Sequence, residues 1–416
     1  MGLQQLLDDL FGRDLPVAIE CYDGSRVGPI DPPATVRVNN PAGIHRIITG
    51  RANELAFARA YVAGEIDVEG DIFAVIALRD RFDRPHISLS LLRNAAAAIG
   101  VSNVRSLLRV RPPGPPPEEV KLHGRLHGKA RDAAAISAHY DVSNAFYELF
   151  LGPSMTYSCA VFEHEDDPLD RAQWSKYDLI CRKLDLREGK RLLDIGCGWG
   201  GMVLHAARNY GVQAVGVTIS TEQYEYARKR IVDAGLSDQV EIRLEDYRDV
   251  HDGPYDAISS IGMFEHVGER RLATYMNQAM RLLAPRGRFL NHAITRPLGS
   301  EPGIVPGGFV SRYVFPDGEL LELGQIISGM HEAGFEVRHS ETLREHYDRT
   351  LRHWVSNLEA RWDEAVADVG IARARIWRLY MAGSALAFAA NEIQVHQVLA
   401  VRPDGGKSGM PLRPDW

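Results

Sequence analysis

The chain has 416 residues, 45% of them hydrophobic and 25% charged, which is the composition of a globular rather than a disordered protein. A formal net charge of −7 argues against non-specific nucleic-acid binding. The four cysteines, Cys21, Cys159, Cys181 and Cys197, are scattered without a C-x-x-C pair, which speaks against a disulfide framework or a metal cluster and fits a reducing cytoplasm. The opening MGLQQLLDDLFGRD has no basic n-region and carries acids where an apolar core should continue, so no secretory signal is expected. Apolar stretches such as Leu379 to Ala390 fall short of the roughly 20 residues that span a bilayer, which leaves only peripheral membrane contact.

In chain order, Val17 to Cys21 and Ala34 to Val38 alternate as strands, and Leu55 to Val62 and Ile72 to Leu78 read as helices. The run Arg111-Pro-Pro-Gly-Pro-Pro-Pro117 is a stiff extended spacer that divides the chain near residue 115. Around it, Arg93, Arg105, Arg109, Arg111, Lys121, Arg125, Lys129 and Arg131 face only Glu118 and Glu119, a local charge of +6. Such a run is either a solvated face or a patch for anionic lipid headgroups. From about residue 185, apolar runs at Arg191 to Ile195, Gln213 to Thr218, Val240 to Leu244, Tyr255 to Ile261 and Arg288 to Ile294 alternate with helical patterns at Trp199 to Asn209, Thr221 to Ala234 and Glu269 to Leu283. That order predicts a parallel sheet covered on both faces. Residues Glu341 to Ala390 read as purely helical, and Gln394 to Val401 as a closing strand.

The segment Leu192-Leu-Asp-Ile-Gly-Cys-Gly-Trp-Gly-Gly201 stands at a strand-to-helix junction, where glycines permit positive φ and close approach of a ligand to the backbone. Gly196, Gly198 and Gly201 satisfy G-x-G-x-x-G, a dinucleotide pattern. A nicotinamide site expects an acid after the second strand, where this chain has Gly216-Val-Thr-Ile-Ser220. With Asp194 ahead of the glycines the motif becomes D-x-G-x-G-x-G, the pattern of S-adenosylmethionine-dependent methyltransferases.

Further blocks follow in order: His139-Tyr-Asp-Val-Ser-Asn144, Met155-Thr-Tyr-Ser-Cys-Ala160, Gly216 to Ser220 with Gln223, Asp246-Tyr-Arg-Asp249, Gly262-Met-Phe-Glu-His-Val-Gly268, Asn291-His-Ala-Ile294 and Arg312-Tyr-Val-Phe-Pro-Asp-Gly318. Together they resemble the cyclopropane-fatty-acyl-phospholipid synthase family over about residues 130 to 400. The resemblance implies an α/β, Rossmann-like class I methyltransferase fold with a largely parallel seven-stranded sheet and a helical insert, plus a smaller α+β N-terminal domain. The expected division is an accessory domain over 1–115, a basic linker over 116–135, a catalytic domain over 136–403 and a tail over 404–416.

The implied reaction moves a methyl group from S-adenosylmethionine to the cis double bond of an acyl chain esterified in a phospholipid. An alkene is a weak nucleophile, so alignment with the sulfonium methyl must supply much of the rate. The resulting carbocation calls for apolar or aromatic walls, and a base must then take a proton so that the ring closes. The family holds a bicarbonate ion there, and the resemblance maps its ligands onto Cys159, Glu265, His292, Ile294 and Tyr347.

Cofactor contacts map onto Tyr157 and Ser158, onto Asp194, Gly196, Cys197, Gly198, Trp199 and Gly200, and onto Thr218, Ser220 and Gln223. They continue at Tyr247 and Arg248, although an arginine cannot accept a hydrogen bond from adenine. Ser384 stands where some relatives carry a cysteine, which argues against a covalent cysteine mechanism at that position. No metal is expected. The resemblance further implies a homodimer at the inner face of the cell membrane, bound peripherally to an anionic surface. Loss of a different proton would give a methylene-branched chain instead of a ring, and the sequence leaves that alternative open. A non-catalytic lipid-binding protein is the remaining reading, and the intact acid and histidine oppose it.

Overall fold

A computed structural model describes residues 15–49, 54–79, 114–120, 128, 131, 135 and 142–416. The chain forms two compact units, one of residues 1–120, 307–314 and 363–386, the other of 121–306, 315–362 and 387–416. The sequence places residues 307–314 and 363–386 in the C-terminal part, whereas in the structure they pack with the N-terminal unit.

In the first unit four strands lie in the order β2-β1-β3-β4. Strand β1 (Ala18–Cys21) pairs antiparallel with β2 (Arg26–Val27) and parallel with β3 (Ala34–Val38), which pairs antiparallel with β4 (Ile66–Gly70). The predicted strands are present, as are helices over Glu54–Val62 and Ile72–Ile76. Helix Ile371–Ala389 explains why a distant segment joins this unit. Its Arg378 donates to the carbonyls of Val68 and Gly70, and its Arg375 to Asp67 Oδ2 at 2.8 Å, so guanidinium groups satisfy acceptors along β4. A buried pair, Arg46 with both carboxylate oxygens of Glu65 at 2.6 and 2.7 Å, ties helix Pro41–Thr49 to the loop before β4.

The second unit holds an eight-stranded sheet in the order β11-β12-β9-β8-β5-β6-β7, with β10 paired to β9 off that path. The strands are β5 (Arg191–Ile195), β6 (Gln213–Thr218), β7 (Val240–Leu244), β8 (Tyr255–Ile261), β9 (Leu283–Arg296), β10 (Leu321–Glu322), β11 (Glu336–Thr342) and β12 (Gln394–Val401). Pairing from β7 through to β9 is parallel, and β12 and β11 close the edge antiparallel. The expected seven strands are joined by β10, whose two residues carry no readable alternation.

Both faces are covered. Leu193 and Ile195 enter one core with Met276, Phe289 and Met330, while the adjacent Leu192 enters the other with Ile180, Val203 and Ile231. The helical reading from Glu341 needs correction, because Glu341 and Thr342 end β11 and the helix starts at Arg344. That helix runs to Ala360 and is followed by helices Trp362–Val369 and Ile371–Ala389.

Because the chain runs from β5 outward to β7 and then returns through β8 on the other side of β5, the sheet has a topological switch point at β5, where open α/β sheets bind ligands. Among the described residues no helix is long and apolar enough to cross a membrane. Of the basic run, Arg131 is engaged by both oxygens of Asp317 at 2.7 and 2.8 Å, so it is committed to an ion pair. Arg93, Arg105, Arg109, Arg111, Lys121, Arg125 and Lys129 lie outside the described residues.

Replacing Glu65 with Leu leaves the Arg46 guanidinium buried without its carboxylate. We expect a loss of about 3–5 kcal/mol, read as a lower denaturant midpoint of the first unit's transition.

Candidate active site

A cleft opens at the carboxyl ends of β5, β6, β7 and β8, lined by Tyr157, Ser158, Asp194 to Trp199, Thr218, Gln223, Asp246 to Arg248, Gly262 and Met263. Among the residues mapped to the cofactor, Gly200 and Ser220 do not line it; they act one step back. Gly200 takes φ +81° to start helix Gly201–Tyr210, and Ser220 Oγ caps helix Thr221–Asp233 by accepting from the Gln223 N–H. Gly196 has φ +76°, and a Cβ there would meet Met263 at 2.8 Å, so the turn needs glycine on two grounds. Gly198, at φ +54°, has nothing within 4 Å of its Cβ position, which leaves the backbone open to a ligand.

Asp194 is buried and accepts from Ser259 Oγ at 2.7 Å. Burial raises its pKa to about 6, against the opposing pull of that hydrogen bond and of Lys176. Lys176 is itself fully buried, which brings its pKa down to about 7, and its Nζ donates to Ser158 Oγ at 2.8 Å. Gln173 Nε2 donates to the Ser158 carbonyl at 2.9 Å, so one helix, Leu169–Lys183, holds the Tyr157–Ser158 segment against the cleft. Trp199 Nε1 donates to Asn144 Oδ1 at 2.7 Å, which anchors the glycine turn to the helix that Ser143 caps.

At the end of β7, Arg248 donates to both oxygens of Asp246. Asp246 and Glu245 also line the cleft, and their carboxylate oxygens are acceptors of a kind that Arg248 lacks. The family resemblance maps neither acid to the cofactor, although Asp246 belongs to one of its blocks and both acids directly follow a strand end. Tyr247 packs edge-on against Tyr275 at 5.5 Å, which sets the plane of its ring.

The second group of mapped residues gathers beside β9 and β12. Glu265 Oε1 accepts the Ile294 backbone N–H at 2.6 Å, so the amide expected to meet an anion is here bonded to the carboxylate. Glu265 Oε2 and His292 Nε2 are both buried with no hydrogen-bond partner. Residues 292 and 294 share one face of β9 by the two-residue period of a strand. Desolvation raises the Glu265 pKa to about 7 and pushes the His292 imidazole well down, so the histidine is neutral.

Cys159 Sγ donates to the carbonyls of Ala160 and Leu343, and burial pushes its thiol up, which removes it as a nucleophile. The Leu343 carbonyl also accepts the Tyr347 N–H, and the Leu343 N–H reaches Val395, the cross-strand partner of Ile294. The five mapped residues are thus linked through contiguous contacts.

An aromatic chain runs beside them. Tyr347 stacks on Phe388 at 4.5 Å and meets Trp354 edge-on; Trp354 stacks on Tyr157 at 5.4 Å, and Tyr147 bridges Tyr157 to Trp199. Such faces stabilise positive charge without offering a nucleophile. Among the described residues no cluster of His, Cys, Asp or Glu is disposed to hold a metal.

A doubly wound sheet, a D-x-G-x-G-x-G turn after its first strand and a cleft at the switch point define an S-adenosylmethionine-dependent methyltransferase of class I fold. Residues 127–398 match the family described as mycolic acid cyclopropane synthetase, and the chain belongs to that family. It is similar to a probable fatty acid methyltransferase of Mycobacterium tuberculosis, at 44% identity over 96% of this chain and 95% of the relative. To the cyclopropane-fatty-acyl-phospholipid synthase of Escherichia coli K12 it is 34% identical, over 89% of this chain and 88% of the relative. The crystal structure of mycolic acid cyclopropane synthase CmaA1 complexed with SAH and CTAB superposes with a TM-score of 0.61 at 33% identity, covering 65% of this chain and 98% of that one.

Asp194→Asn removes the one carboxylate held under the glycine turn, and we expect S-adenosylmethionine to bind about 10–100-fold more weakly by calorimetry. In the unsubstituted protein, affinity should fall as pH drops through about 6, where Asp194 gains its proton and loses its attraction for the cationic ligand.

Proposed function

We propose that this protein transfers a methyl group from S-adenosylmethionine to the cis double bond of an unsaturated acyl chain carried by a phospholipid, and that the product is a cyclopropane. The observation that carries the reading is the pair of buried, unpartnered polar atoms, Glu265 Oε2 and His292 Nε2, in a set of residues whose Tyr347 belongs to an aromatic chain. A buried carboxyl oxygen and a buried imidazole nitrogen without partners are costly to maintain, and a small anion or a proton transfer gives both a use.

When bound, S-adenosylmethionine supplies an electrophilic methyl group. Tyr157, Ser158, the turn from Asp194 to Trp199, Thr218, Gln223 and Tyr247 are the residues that would hold it. The cradle fits: an open backbone at Gly198, a carboxylate at Asp194 and aromatic rings at Tyr157 and Tyr247 meet the needs of a cationic, purine-bearing ligand. Bicarbonate fits in part: Glu265 Oε2 and His292 Nε2 are unpartnered and would hold it with the Tyr347 phenol, whereas the Ile294 amide is already bonded to Glu265 and the Cys159 thiol to backbone carbonyls; the ion would supply a proton acceptor. Glu265, with its pKa near 7, takes or shares a proton at Oε2 close to neutrality. Tyr157, Trp354, Tyr347 and Phe388 exclude water and face the positive charge that develops on the acyl chain.

A phospholipid substrate is supported by the relative of Escherichia coli named for it, which this chain matches over most of both lengths. Docking on an anionic bilayer through the basic run, and a homodimer, belong to the same proposal. The second reading retains methyl transfer but yields a methylene-branched chain, and it is favoured by the 44% identical relative named a probable fatty acid methyltransferase. Gas chromatography with mass spectrometry of the acyl esters, after incubation with S-adenosylmethionine and unsaturated phospholipid, separates the two. A branched alkene as sole product would overturn ring formation.

Glu265→Gln should lower kcat by about 10²–10⁴-fold while S-adenosylhomocysteine binding is retained. Turnover of the unsubstituted enzyme should fall as pH drops through about 7, as Glu265 is protonated, and the residual activity of the variant should lack that limb.

A further inference from the structure

We infer that Gln397, oriented by the buried ammonium of Lys183, holds His292 as the neutral tautomer protonated at Nε2, so that His292 serves the site as a hydrogen-bond donor and not as its base. The inference rests on the proposed role of His292 in the methyl-transfer site, and it assigns positioning roles to Gln397 and Lys183.

The argument begins at Lys183, the last residue of helix Leu169–Lys183 and fully buried. Its Nζ donates to Glu341 Oε2 and to Gln397 Oε1, the latter at 2.7 Å. An ammonium has donors and no acceptor, so the Gln397 amide must present its oxygen to Lys183. Reversal would set an NH₂ against the ammonium. The amide nitrogen then faces His292, with Nε2 of Gln397 3.2 Å from Nδ1 of the ring. An amide nitrogen only donates, so Nδ1 must be the accepting, unprotonated nitrogen.

The two residues are directly opposed on neighbouring strands, His292 on β9 against Gln397 on β12, which fixes the approach. The Lys183 end of the helix is held in turn, because its carbonyl accepts from Arg288 at 2.8 Å. With Nδ1 occupied as acceptor, the single proton of a neutral imidazole resides on Nε2, the atom left buried and unpartnered. An imidazolium would place N–H against N–H, and burial together with the charges of Lys176 and Lys183 already disfavours it. His292 therefore offers Nε2–H to an acceptor such as an oxyanion oxygen, and proton acceptance falls to Glu265 or to the anion it helps to hold.

The test uses full-length protein labelled with ¹⁵N-histidine, the His292 signals being assigned by their loss in His292→Gln. Long-range ¹⁵N–¹H correlation should show His292 neutral, with the proton on Nε2. In Gln397→Glu the new carboxylate accepts from Nδ1–H, so the tautomer should reverse. The kcat should then fall by about tenfold or more while KM for S-adenosylmethionine stays within about twofold. Gln397→Met, which removes the contact at similar volume, should give a mixture of tautomers and a smaller fall.

Calorimetric binding of S-adenosylhomocysteine checks that each variant is folded. If Gln397→Glu does not bind it, the unsubstituted protein's tautomer decides. A proton on Nδ1 or an imidazolium in the unsubstituted protein overturns the proposal, as does a reversed tautomer with undiminished kcat. An unsubstituted protein without methyl transfer would instead refute the enzymatic reading, and the tautomer would still be measurable.

Discussion

Loss of water by a small set of ionisable side chains is the constraint on which the catalytic unit depends. Asp194, Lys176, Lys183, Glu265 and His292 are all buried within the sheet and helix interior. Burial disfavours the charged form of each, so Asp194 and Glu265 are pushed up and Lys176 and His292 down. Each is then supported by specific partners: Asp194 by Ser259, Lys176 by Ser158, Lys183 by Glu341 and Gln397, Glu265 by the Ile294 amide. The atoms that stay unpartnered, on Glu265 and His292, mark where the structure is incomplete by itself.

Those supports also explain how a cleft made by five separated segments keeps its form. The helix Leu169–Lys183 serves both halves of the site. Near its middle, Gln173 and Lys176 hold the Tyr157–Ser158 segment, and at its end Lys183 reaches the β12 side chain that faces His292. Rigid secondary structure thereby carries the precision, and the loops at the strand ends carry the variable chemistry. The aromatic chain from Phe388 to Trp199 adds a wall that conveys no competing nucleophile into a site that would generate positive charge.

The solved structure of the shorter relative covers 65% of this chain, whereas the relatives from Mycobacterium tuberculosis and Escherichia coli match it over 96% and 89% of its length. The N-terminal unit is therefore shared with the longer relatives. Its sheet is completed by side chains from residues 363–386, through Arg375 and Arg378 along β4. A polypeptide cut at the proline-rich spacer would lose those donors from an edge strand.

Much of this was readable before any coordinates. The runs of β5, β6, β7, β8 and β12 coincide with the observed strands, because strands buried on both faces such as β5 and β8 leave a nearly continuous apolar signature and the edge strand β7 leaves an alternating one. The glycine turn was legible for the same reason: positive φ and close approach are local demands that only glycine meets at that spacing. Strands β10 and β11 were not legible, since one has two residues and the other lies at a sheet edge with polar side chains along it. The place of residues 363–386 was equally hidden, because helical periodicity records that a face is buried and not what buries it.

The contacts that orient the chemistry belong to tertiary structure alone. Lys183 and Gln397 are 214 residues apart, and Gln397 and His292 are 105 apart. In the sequence nothing links a lysine at the end of one helix to a histidine and a glutamine in two later strands. Hydrogen bonds are directional and short in range, so which polar atom meets which, and hence which nitrogen of His292 holds the proton, is settled only when the folded chain brings them within 3 Å or so of each other.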